Sequence, residues 1–175
     1  MNEQHTVLLR EFFMCNEEIN VIAFKEAGDE LVDFILRGQK YSWYEAFIRP
    51  IGLLYRHYLE LEIKYWITEL DVQTFKKPTK FLHDHNLKKL WDKLKPLILS
   101  FCTSQEEQTM LNDVEQVILL FHEYDPTGQE FRYSRTTKGK ETLSEMPPKI
   151  DVKSIKCSIA RVDNFFNGLS GVIHV

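Results

Sequence analysis

Between Leu82 and Leu87 the chain reads His83-Asp84-His85-Asn86, two imidazoles and a carboxylate side by side. Metal binding, proton transfer and the start of a helix all use such residues. A His-x-His pair shares one face in an extended strand, whereas two helical histidine ligands stand four apart. This pair follows a loop at Pro78 and precedes a helix, with no further ligand close in sequence, so no metal site is expected. Asn86 stands just before the first periodic apolar residue, Leu87. Its side-chain oxygen can accept from a free N–H in the first turn, worth about 1 kcal/mol. Asp84 adds favourable charge near that N-terminus. The expectation is therefore a helix start, with His83 and His85 packing or hydrogen-bonding against the helix before it.

Three further groups have the residue types for chemistry. Arg56, Glu60 and Lys64 recur every fourth residue, the spacing of an opposite-charge ladder with Glu60 before Lys64 in the favourable order. Such a ladder reads first as a solvated face, and otherwise as a polar seam against a neighbouring helix or a partner. His57 lies beside it, and a half-buried His–Glu pair can move protons near neutral pH. In a second group, Arg132, Arg135, Lys138 and Lys140 interleave with Phe131 and Tyr133. Basic and aromatic residues so mixed can hold single-stranded nucleic acid; the plainer expectation is an exposed hairpin with charges guarding its edge. In a third, Arg161, Asn164 and Gly168 share roughly one helical face, with Asp163 and Asn167 adding polar character. An arginine there suits the surface, an ion pair or a phosphate contact.

Long helices must position these groups. At 175 residues the chain fits one domain that buries roughly two-thirds of its unfolded surface. Its 43% apolar and 27% charged content is that of a globular protein, 12 Phe and 7 Tyr fill a core, and only 7 Gly argue against a turn-rich β fold. A net charge of −4 disfavours general binding of long nucleic acid, though not a local basic face. Cys15, Cys102 and Cys157 form no CxxC pair, which predicts reduced, mostly buried thiols in a cytoplasmic protein. Neither a signal peptide nor a membrane span is expected, and no cofactor is implied.

The first helical region covers about residues 7 to 37, loses phase near Cys15-Asn16, and closes with Gly38 as C-cap. Ser42 to Glu45 reads as a capping box. Pro50 then kinks or restarts a central helix with two apolar stripes, one of Ile51, Leu54, Tyr55 and Tyr58, the other of Leu59, Ile63, Trp66 and Leu70. Leu87, Leu90, Trp91, Leu94, Leu97 and Ile98 mark the next helix, which Pro96 should kink or end early. Ser104 to Glu107 is another capping box, and the helix it opens stops before the turn at 124–128. Alternation at Phe131 and Tyr133, then a Gly-containing turn, predicts a small β-hairpin or an extended excursion over about 129–143. A last helix starts near Asp151. The expected architecture is mainly all-α: a single-domain bundle of four to five long helices with a hairpin inserted before the last.

The order of these features resembles the HEPN domains, a superfamily of small α-helical domains. Three stretches carry the resemblance: "RHYLELEIKYWI" at 56–67 with its step from Glu60 to Lys64, "HNLKKLW" at 85–91, which is similar to the family's H-[DN]-L-x-x-L motif, and "VKSIKCSIARVDNFFNGL" at 152–169 as the final amphipathic helix. The insertion at 129–143 is not part of the minimal domain. The resemblance implies the helical scaffold and a homodimer. Active members are metal-independent ribonucleases with an Arg and a His separated by four to six residues, the Arg stabilising phosphate charge and the His serving in acid/base chemistry. Here the window after Arg161 holds no histidine, Asn167 occupies one allowed position, and Arg49 and His57 are spaced too widely. The leading reading is thus a non-catalytic binding or dimerisation protein, as in family members that serve toxin–antitoxin or defence systems, some beside a nucleotidyltransferase partner. The alternatives are a ribonuclease of unusual layout using His57 or His85 with Arg161, and a nucleotide or small-ligand sensor. Residues that would touch a ligand or nucleic acid are Arg56, Glu60, His83, Arg132, Arg135, Asn164 and Asn167.

Overall fold

Helix-capping signals in the sequence become helix starts in the structure. The computed structural model describes residues 17–38, 44–75 and 83–173. The break expected at Cys15-Asn16, the start of the first helix, Ser42 of the first capping box, the Pro78 loop and His174 lie outside the described residues. Helix α1 spans Glu17–Leu36 and ends at Gly38, whose φ of +73° and N–H bond to the Ile35 carbonyl (3.1 Å) close it. A 3₁₀ turn, Tyr44–Phe47, leads into α2, Ile48–Phe75, so Pro50 sits in the first turn, where its missing N–H costs nothing. Helix α3 spans Leu87–Leu99 with Asn86 as N-cap, its side chain accepting from the Lys89 N–H at 3.0 Å; it ends shortly after Pro96. Helix α4 spans Gln105–Tyr124 and opens with a complete capping box: Ser104 Oγ accepts from Glu107 N (3.1 Å) and Glu107 accepts from Ser104 N (2.8 Å). Helix α5 spans Val152–Ile173, capped by Asp151, which accepts from Lys153 N, Ser154 N and Ser154 Oγ.

Helix α2 lies between α1 and α3, α3 packs on α4, α4 on α5, and α5 returns to α1. Both expected stripes of α2 are enclosed, all but half-buried Leu54 being buried. Polar side chains join the layers. Tyr55 donates to Asp29 of α1 (2.7 Å) and Tyr58 to Asp163 of α5 (3.2 Å). Trp91 and Lys95 of α3 both donate to Glu115 of α4, at 3.0 and 2.8 Å. No helix among the described residues is long and apolar enough to cross a membrane.

The expected hairpin at 129–143 does not form. Among the described residues there is no strand, only one isolated antiparallel bridge, Arg135 to Glu141, around a turn at Thr136–Gly139. Phe131 and Tyr133 would share a face on a strand. Instead Phe131 is 4% exposed and Tyr133 59% exposed, because a turn in which both Arg132 N and Tyr133 N donate to the Gln129 carbonyl (3.0 Å) separates them. Phe131 drops onto Gly52 of α2, where an added Cβ would lie 2.3 Å from its ring. Arg49 takes carbonyls that a strand ladder would use. Its guanidinium donates to Glu130 O (2.8 Å), Tyr133 O (2.9 Å), Thr142 O (3.4 Å) and Thr142 Oγ1 (3.1 Å).

Candidate functional site

The helical repeat sets Arg56, Glu60 and Lys64 on one face of α2, and that face is not solvated. Arg56 and Glu60 are each 2% exposed. The cover comes from far along the chain: the 83–86 segment before α3 and the 125–128 turn after α4. Arg56 donates to Glu60 Oε2 (2.7 Å), to the His85 carbonyl (2.5 Å) and to the Asp125 carbonyl (3.2 Å). Asp125 Oδ2 lies 3.3 Å from Arg56 Nε. It attracts the guanidinium but has no hydrogen bond of its own among the described residues, since that N–H points to the carbonyl. Gly128, at φ +81°, lets the turn close, with the position of its missing Cβ only 3.2 Å from the Arg56 guanidinium carbon.

The second Glu60 oxygen accepts from Lys64 (2.8 Å) and meets His85 Nδ1 (2.8 Å). Burial pushes the Glu60 carboxyl up, but the hydrogen bonds from Lys64, Arg56 and His85 prevail and hold it at about 2. Glu60 is therefore ionised, so His85 Nδ1 must be the donor. In the neutral ring Nε2 is then the acceptor, on a side chain 65% exposed. Asp125 has the opposite balance: burial, with a hydrogen bond shared with Glu130, raises its carboxyl to about 6 against the pull of Arg56. Despite burial, Glu130 is held low by Asp125, Thr127 and backbone N–H groups. The cluster offers one oriented, solvent-facing base. Its arginine is enclosed and committed to protein partners.

The sequence-derived candidates separate in space. His85 and His57 both lie near Glu60, but His57 turns its ring edge-on to Phe24 of α1 (centroids 4.4 Å apart). Its Nδ1 is buried without a hydrogen-bond partner among the described residues. Burial lowers its basicity, Glu60 opposes this, and Arg132, Arg56 and Lys64 reinforce it. His83 is exposed in the segment before α3. Arg132 and Arg135 stand on the exposed loop, Arg135 within 3.6 Å of Glu141. Arg161 and Asn164 belong elsewhere. They line an apolar groove of about 370 Å³ between α4 and α5, floored by Val114, Val117, Val162 and Leu169. Asn167 borders a smaller cleft beside Val21 and Trp66. Asp113 of the groove and Asp125 of the buried cluster stand about 18 Å apart along α4 at 1.5 Å per residue. Arg161 thus does not join the histidines.

Three participants escaped the sequence reading. Asp125 sat in what read as an ordinary turn and Glu130 in the expected hairpin, and only the spacing Asp125-x-x-Gly128 hinted at a tight turn. His122 of α4 has an Nδ1 buried without a hydrogen-bond partner among the described residues, and burial lowers its basicity. Among the described residues no group of three or more histidine, cysteine or carboxylate side chains is arranged to hold a metal ion.

The fold and this cluster define a class, a bundle of α-helices stitched through its central helix by buried ions. Compared with protein-family models, curated proteins and solved structures, the chain matches none.

Proposed function

We propose that this is a non-catalytic, HEPN-like cytoplasmic protein that acts by binding, and that its first partner is a second copy docked along the groove between α4 and α5. The groove carries the proposal. Phe101, Met110 and Phe165 leave apolar surface there, Met110 being 44% exposed. Asp113 on α4 and Arg161 on α5 line the same groove without an ion pair to any described residue; among the described residues the Arg161 guanidinium donates only to Ser158 of its own helix, at 3.0 Å. A two-fold axis along the groove sets each arginine against the other copy's aspartate, the self-complementary arrangement of an isologous dimer. The three HEPN-like stretches, in the order that family has them, fit this role in a toxin–antitoxin or defence setting, where a nucleotidyltransferase-type protein is the further partner. Sedimentation equilibrium is expected to give twice the 20.8 kDa chain mass. Arg161→Glu or Asp113→Lys alone should weaken association about 10- to 100-fold, and the double exchange should restore it. A chain monomeric at several hundred micromolar would refute the dimer.

The exposed His85 with Nδ1 on buried Glu60 favours one second reading, metal-independent RNA cleavage with His85 as the base. It predicts cleavage in a chelating buffer that drops about 10²- to 10⁴-fold in His85→Ala, the usual range for one acid/base group. RNA left intact by the wild-type chain removes this reading.

A further inference from the structure

We propose that the loop from Phe131 to Thr142 is a preformed grip for single-stranded nucleic acid, with Tyr133 as its stacking platform. This goes beyond the self-association above and uses a different surface. Between residues 131 and 140 the chain carries Arg132, Arg135, Lys138 and Lys140 and no acid, although its net charge is −4. The flanking acids do little to cancel this. Glu130 turns back onto Thr127 and the N–H of Gln129, and Glu141 meets Arg135 only at 3.6 Å with both side chains about two-thirds exposed or more. Every residue from 132 to 141 is exposed, so all four cations are open to solvent within nine residues of one loop. A local field of this kind attracts phosphates whatever the sign of the whole chain.

The loop is also fixed. Phe131 anchors one end on Gly52, and Thr142 is buried at the other. Between them the Thr136–Gly139 turn closes with Thr136 N to Lys140 O at 2.8 Å and Gly139 N to Thr136 O at 2.9 Å. Beneath it, Arg49 and the Thr142 hydroxyl both donate to the Tyr133 carbonyl. The backbone of Tyr133 is thereby pinned from inside while its side chain, 59% exposed, lies between Arg132 and Arg135 in the chain. An ordered aromatic face flanked by arginine and lysine suits a splayed base and its phosphates, and it forgoes the ordering cost that a flexible loop would meet on binding. A duplex offers no free base to this ring, so single strands are preferred.

Fluorescence anisotropy of labelled twelve-nucleotide oligo(U) and oligo(dT), titrated with the full chain, tests the grip. Binding is expected at 50 mM salt, with log affinity falling against log salt at a slope of about −3 if four phosphates are met. Tyr133→Ala should weaken binding about tenfold, and Arg132→Ala with Arg135→Ala more, each with an unchanged helical melt, because these side chains are exposed. The Arg161→Glu variant should bind as the wild type does, which separates this proposal from the dimer. No binding at 100 μM protein would overturn it. So would affinity indifferent to Tyr133, equal affinity for duplex, or binding only to vesicles rich in phosphatidylserine.

Discussion

Arg56→Met is expected to destabilise the protein by about 3–5 kcal/mol, the cost of removing one partner from a buried ion pair. For a chain of this length that lowers the melting temperature by roughly 10 °C. The size follows from what remains. Glu60 keeps Lys64 and His85 on Oε1, but its Oε2 loses the 2.7 Å guanidinium contact inside the protein. Asp125, fully buried, loses its nearest cation, and the carbonyls of Asp125 and His85 lose a donor each. Arg56→Lys should be intermediate, because an ammonium cannot fork to carboxylate and two carbonyls at once. Pairing Arg56→Met with Glu60→Gln should cost less than the sum of the single changes, since the groups act as one network. Urea unfolding followed by helical circular dichroism measures all of these. A loss below about 1 kcal/mol for Arg56→Met would mean that water reaches the cluster and the ladder behaves as a surface one.

That cluster marks the boundary of what the sequence made legible. Asn86, the Ser104–Glu107 box and Asp151 were readable because a cap and its target lie within three residues, so the sequence contains the whole interaction. The apolar stripes of α2 were readable because burial on two sides leaves a doubled helical period. A charge ladder has the same spacing whether water or protein covers it. What covers Arg56 is the Asp125–Gly128 turn and the His85 carbonyl, 69 and 29 residues away for the two hydrogen bonds made, and no local pattern reports that. The hairpin misled for a related reason. Phe131 and Tyr133 alternate as strand residues do, but a turn at Gln129 and the guanidinium of Arg49, about 80 residues earlier, set them on opposite sides. The space between Arg161 and the histidines was equally invisible, because it depends on which end of α4 each one meets.

The same ions predict an acid-labile fold. Glu60 titrates at about 2 in the folded chain against an ordinary 4.5. As pH falls from 4.5 the unfolded chain takes up its proton first, so the stability that Glu60 contributes is complete above 4.5 and is lost towards pH 2. The limit is about 3 kcal/mol, because each tenfold difference in proton affinity between the folded and unfolded chain is worth about 1.4 kcal/mol. Glu130, held low, acts in the same direction. Asp125 acts in the other. Raised to about 6 from 3.8, it keeps a proton in the folded chain that the unfolded chain has released, so its contribution is complete below 3.8 and fades as pH rises through 6. His57 and His122, both lowered from 6.5 chiefly by burial, oppose Asp125 in that window, because the unfolded chain gains their protons as pH falls below 6.5. Thermal melts from pH 8 to 2 should therefore fall steeply below about 4.5. Glu60→Gln should flatten the acid limb while starting from lower stability at neutral pH. In a His57→Asn, His122→Asn double variant the balance tips to Asp125, and stability should rise as pH drops from 6.5 to 4.5. A double variant whose stability stays level or falls across that window would overturn the raised Asp125 carboxyl, the pull of Arg56 then exceeding the effect of burial.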